Sequence, residues 1–165
     1  MKSLRLYFTF ICLIILGSLF AHPEGIQNQS DHIAVFLGLK KHFGTIRLMN
    51  IVEIGGRGEL CKIIAEKEGF ASYTLINSSA NNKVAKNYLS PYNIPNVFFI
   101  DKDSFIDKDS SSDLKVYDLV ISYFTFTQST LFEQKGYVNT LLSQTPNGYM
   151  HLHFREAHES PSEYS

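Results

Sequence analysis

The sequence predicts an α/β fold in which helices cover both faces of a mostly parallel sheet, and three observations carry that prediction. Short apolar runs alternate with helical patterns from Arg47 to Phe154. The first run, "RLMNIVEI" over 47–54, is a nearly continuous apolar stretch, as suits a strand buried on both faces of a sheet. The turn after it, "EIGGRGEL", sets three glycines within four residues ahead of a helical pattern. Parallel strands need crossovers, and those crossovers are right-handed, so alternation along the chain becomes layering in space.

The chain divides into four stretches. Residues 1–21 carry Lys2 and Arg5, then an uncharged run from Leu6 to Ala21, then a polar break at His22 and Pro23. That is the layout of a secretory signal peptide, and the run falls short of the roughly 20 residues of a comfortable membrane span. A cleaved signal is the expectation, with an uncleaved signal anchor as the alternative; either places the domain outside the cytoplasm. Residues 22–29 form a connector, 30–155 the folded domain and 156–165 a polar tail.

Within the domain, 30–44 reads as an amphipathic helix. Ser30 or Asp31 can cap it, Ile33, Phe36, Leu37 and Lys40 fall at helical spacing, and Gly44 stops it. After the strand 47–54, residues 59–69 form a helix with Leu60, Ile63 and Ile64 inward, and Cys61 fits there as a small core residue. A second strand covers 71–77. Ser78 and Ser79 are candidate caps for a helix in which Val84, Tyr88 and Leu89 fall at helical offsets. Pro91 and Pro95 then break the chain before a third strand at 96–100.

Residues 101–115 read as an exposed polar link. Its aspartates at 101, 103, 107, 109 and 113 lack the glycine and the closing glutamate of a calcium loop, so no metal site is expected. A fourth strand covers 116–122 and a helix 131–144, where Phe132 has core spacing with Leu131 and Val138. A fifth strand covers 147–154.

Composition narrows the function classes. With 165 residues, 44% hydrophobic and 19% charged, the chain suits one globular domain. A net charge of −1 and a pI near 6.6 give no electrostatic case for nucleic acid. The two cysteines are Cys12 and Cys61, so a chain without its signal has no intramolecular disulfide.

In open parallel sheets the ligand lies beyond the carboxyl ends of the strands, where strand order reverses. Those ends are Glu53-Ile54-Gly55, Ile76-Asn77, Ile100-Asp101 and Ile121-Ser122-Tyr123. Glycines let a ligand approach the backbone, and the following helix start offers unpaired N–H groups. Glu53 would repel a phosphate and suits a ligand with hydroxyls or an ammonium group. The same turn also fits a tight strand-to-helix connection that holds nothing.

The blocks "NIVEIGGRGELCKII", "YTLINSSANNKVAKNYLS" and "YDLVISYFTFTQ" together resemble the sugar O-methyltransferase family of the class I S-adenosylmethionine-dependent methyltransferases. The likeness runs from about Phe36 to Phe154. It implies a Rossmann-like three-layer sandwich, S-adenosylmethionine as cofactor, and methyl transfer to a hydroxyl of a saccharide or similar small acceptor. By position, it puts Glu53, Gly55, Gly56 and Gly58 against the methionine part of the cofactor. Asn77 falls where the family places an acid on the ribose hydroxyls, Asp101 where adenine is approached, and Ser122, Tyr123 and Phe124 beside the methyl group.

The sequence departs from the family in four ways. The glycine turn is one residue short, Arg57 stands where a glycine or aromatic is expected, Asn77 lacks a charge, and the sheet is expected to stop short of two further strands. These departures leave a second reading open, an exported domain that binds a ligand or partner without turnover. O-methylation needs a base to take the hydroxyl proton. His151 and His153 alternate on the fifth strand and are the weak candidates, the other reading being a solvated strand end. His22, His32, His42 and His158 are expected at the surface.

Overall fold

The computed structural model of the chain describes residues 29–106, 116–123 and 125–151. The expected signal segment, most of the polar link, Phe124, His153 and the tail lie outside the described residues. The elements run α1 (Gln29–Phe43), β1 (Asn50–Ile54), α2 (Glu59–Lys67), β2 (Ser72–Asn77), α3 (Ser79–Leu89), β3 (Val97–Asp101), α4 (Lys102–Ile106), β4 (Leu119–Tyr123), α5 (Thr125–Gln128), α6 (Leu131–Tyr137) and β5 (Asn147–His151). A short 3₁₀ turn follows α3 and a π-helical turn, Val138–Leu142, follows α6.

All the strand pairs are parallel, and the five strands lie in the order β3-β2-β1-β4-β5. Strand order therefore reverses between β1 and β4. Register aligns the carboxyl ends: Ile54 faces Ile76 and Ser122, Asn77 faces Asp101, and Tyr123 faces His151. This is the three-layer Rossmann-like arrangement the sequence predicts. Alternate strand residues feed two cores, as the two-residue side-chain period requires. Ile51, Tyr73, Leu75, Leu119 and Ile121 pack under α1, α2 and the end of α3. Val52, Ile54, Ile76 and Val120 pack against Phe105, Tyr137 and Leu141 on the other side.

The strands start later than the sequence suggests. Arg47 and Leu48 are exposed, Met49 N–H donates to the Ile46 carbonyl at 3.0 Å, and pairing begins only at Asn50. Likewise β4 starts at Leu119: Asp118 N–H donates to the Asn50 carbonyl at 2.8 Å, and the Asp118 side chain, through Oδ2, accepts from Asn50 N–H at 2.7 Å.

The helices correct three expectations about which face is buried. On α1 the buried stripe is His32, Val35, Phe36 and Leu39, while Ile33 and Leu37 are 39% and 59% exposed. Helical spacing alone fits both faces, and α2 selects the one that carries His32, so His32 is buried at 4% exposure rather than at the surface. Ser30 and Asp31 both lie within α1. On α3, Asn82, Ala85 and Leu89 turn inward and Val84 and Tyr88 outward; Ser78 is the cap, accepting from Asn81 N–H at 3.4 Å. On α6, Phe132 and Leu131 are exposed and Tyr137 takes the core position.

The polar link is not wholly exposed. Its first residues form α4, with Asp101 Oδ1 accepting from Asp103 N–H at 3.1 Å and Phe105 buried.

Candidate functional site

The turn from Gly55 to Gly58 sits where strand order reverses. Gly55 has φ +87° and Gly56 φ +83°, a region that L side chains rarely adopt. Space as well as φ demands glycine here. A methyl on Gly55 would meet the Thr125 side chain, and one on Gly56 would meet the Glu53 carboxyl. The missing side chains would point into the protein, so the bareness of the turn serves its close seating on β1 and α5. Gly55 and Gly58 are buried, Gly56 is half-buried and Arg57 is exposed, while Gly55 N–H donates to the Ile76 carbonyl at 2.9 Å. The first N–H groups of α2, which as at any helix start have no intrahelical acceptor, follow this turn.

Glu53 lies beneath that turn, 2% exposed, and its Oε2 accepts from the Tyr73 hydroxyl at 2.8 Å. Burial is the main cause of its raised pKa, with Tyr73 pulling down and Glu59 adding a smaller push upward; the outcome is about 8. At neutral pH it is therefore a neutral acid. The sequence reading of Glu53 as a charge presented to hydroxyls or an ammonium group is corrected: the side chain is enclosed and holds the turn from below. Burial also pushes the neighbouring Cys61 thiol up, which leaves it unreactive in the core.

Asn77 is 4% exposed and its Nδ2 donates to the Gly56 carbonyl at 2.9 Å. It braces the turn from the β2 side, so its donor is not presented to a ribose. Ser122 is fully buried, and its hydroxyl accepts from Phe126 N–H at 3.1 Å, starting α5. Of the predicted site residues at strand ends, Glu53, Asn77 and Ser122 are thus spent on holding the turns.

Asp101 differs. It is half-exposed, accepts from the Ser79 hydroxyl and from Asp103 N–H, and these bonds hold its carboxyl below the usual range, Ser79 contributing most. It is the ionised acceptor at this edge. The Tyr123 and His151 backbones end β4 and β5 side by side. Arg57 is exposed, so the cation in the turn does not fill the interior.

Sequence reasoning missed Tyr73, Thr125 and Leu89, the last of which abuts Gly58. Tyr73 had a usable signal. Glu53 pairs with Leu75, so residue 73, two positions away, shares its face of the sheet. Thr125 opens α5 and Leu89 ends α3, and only the packed structure brings these helix ends against the turn.

No family model matches the sequence, and no curated protein does. Solved structures do match in fold. The methyltransferase domain of bacterial CtHen1-C superposes with a TM-score of 0.57 at 17% identity, over 74% of this chain and 64% of that one. CalS10, an amino pentose methyltransferase of Micromonospora echinaspora solved with S-adenosylmethionine bound, gives 0.53 at 16% identity, over 76% and 51%. YjhP of E. coli gives 0.52 at 21%, over 77% and 50%. The chain thus spans about half to two thirds of the length of these structures.

Proposed function

We propose that this chain is a methyltransferase domain that uses S-adenosylmethionine and a small-molecule acceptor, with a saccharide hydroxyl as the group methylated. The observation that carries the reading is the placement of a bare-backbone turn at the reversal of strand order, in a sheet whose fold is that of methyltransferases. The acceptor class rests on the sequence resemblance, with the fold likeness to an amino pentose methyltransferase alongside it.

The residues fit such a cofactor through backbone more than side chains. The outer surface of Gly55 to Gly58 and the first turn of α2 would lie against its methionine part. Asp101, ionised and half-exposed, would accept hydroxyl or amine donors of its adenosine part. Neutral Glu53 and braced Asn77 would act from behind, by fixing the turn. When bound, the cofactor supplies an electrophilic methyl on a sulfonium centre. The protein's own work is then to hold the acceptor oxygen in line, exclude water, and take a proton from the hydroxyl. His151, at the end of β5 beside Tyr123, is the candidate for that proton; His153 lies outside the described residues. The N-terminal apolar run behind Lys2 and Arg5 supports reading this as an exported or membrane-anchored protein.

The test is transfer of labelled methyl from S-adenosylmethionine to a panel of monosaccharides and disaccharides by the full chain. Labelled saccharide supports the reading. Cofactor binding with no transfer to any hydroxyl compound would favour the non-catalytic alternative and remove the enzyme.

A further inference from the structure

We propose that the N-terminal apolar run is kept as the uncleaved anchor, the alternative to a cleaved signal, and that the outward face of α1 lies on the lipid bilayer to which this run tethers the domain. α1 carries two faces. His32, Val35, Phe36 and Leu39 are buried, whereas Ile33, Ala34, Leu37 and Lys41 all lie on the exposed side. Ile33, Leu37 and Lys41 are four residues apart, so they form one stripe along the helix. Two of the three are large aliphatics that the domain itself leaves uncovered, at 39% and 59% exposure.

The chain that precedes this helix says what covers the stripe. Residues Leu6 to Ala21 carry no charge and follow Lys2 and Arg5. Only residues 22–28 separate that run from the start of α1, and seven residues span at most about 24 Å. A run held in a bilayer therefore keeps α1 near the lipid surface. The second contact is then in effect intramolecular, so a small apolar face is enough to be held there. A second copy of the chain is a poorer occupant. Two aliphatic side chains and an alanine fall well short of the roughly 1,000 Å² that a stable protein interface needs. Lys41 suits a lipid surface, since its stem can lie along the apolar phase while the ammonium reaches the headgroups.

The experiment uses the full chain in vesicles of phosphatidylethanolamine and phosphatidylglycerol, with a nitroxide at one position at a time. Cys12 is labelled as it stands. In a Cys12→Ser background, Leu37→Cys reports the stripe and Lys83→Cys, exposed on α3, reports the aqueous side. Cys61 is fully buried and does not compete. Oxygen and a nickel chelate serve as apolar and polar relaxants.

The expected result is that positions 12 and 37 collide several-fold more with oxygen than with nickel, and position 83 the reverse. Three outcomes overturn the proposal. Position 12 in the acyl phase with 37 in water means a tether without a docked face. Position 37 shielded from both relaxants with 12 outside the acyl phase means that the chain's own segment covers the stripe. A purified chain that lacks Cys12, or that washes off the vesicles, means that the run is removed or does not insert.

Discussion

Two turns meet where strand order reverses, and they are built in opposite ways. The turn after β1 is glycine-rich and wired from three sides: Glu53 below it, Tyr73 on Glu53, and Asn77 on the Gly56 carbonyl. After β4, among the described residues, the Ser122 hydroxyl accepts from Phe126 N–H in α5. The difference shows where polar side chains are spent. In the first turn they fix the path of a backbone whose positive φ glycine permits. In the second the Ser122 hydroxyl bonds the first turn of α5, and Thr125 lies against Gly55. A reading that assigns every polar strand end to the ligand misses this, because a buried polar group must first satisfy the structure around it.

The comparison breaks most visibly through pH. The ordinary glutamate value is 4.5 and burial raises Glu53 to about 8, so the folded chain binds this proton more tightly than the unfolded chain. Its contribution to stability is full below pH 4.5 and is lost as pH rises towards 8, by up to about 5 kcal/mol. Glu53→Gln keeps an acceptor for Tyr73 and has nothing to titrate, so urea unfolding from pH 5 to 9 should show a falling wild-type curve and a flatter variant. His32 acts in the other sense, since burial lowers its value from 6.5 and its cost appears as pH falls. The variant separates the two.

Gly56→Ala should cost about 2–4 kcal/mol, through positive φ and a methyl driven against the Glu53 carboxyl. Chemical denaturation at pH 6 measures it, and a neutral effect would mean that the turn is not seated as described. Asn77→Asp should cost about 1–3 kcal/mol, because a carboxylate replaces the donor to the Gly56 carbonyl. If Asn77 instead gripped a ribose, the aspartate would tighten cofactor binding at little cost in stability. Ser122→Ala, in the plainer turn, should cost only about 1 kcal/mol, read from the same unfolding curves.

Much of the layering was legible because it rests on patterns with few alternatives. Residues 51–54 and 72–77 are buried on both faces. The first stretch is mostly apolar, and the second reads as a strand through its β-branched and aromatic residues. Helix faces were harder. The α1 sequence offers apolar residues at two sets of helical offsets, and packing against α2 decides between them. The same ambiguity misplaced Phe132, which is exposed while Tyr137 fills the core. The glycine turn and the strand-end position of Asp101 were readable as places in the fold. The roles of Glu53 and Asn77 were not, because spacing records which residues stand at a strand end and not which way they turn.

Calorimetric titration of S-adenosylhomocysteine into the full chain, beside its Gly55→Val variant, tests most directly whether backbone at the first turn holds the cofactor. The account predicts micromolar binding to the wild-type chain and loss of it in the variant, whose side chain would meet Thr125 and displace the turn. No binding at millimolar concentration, or equal binding to both proteins, would contradict it.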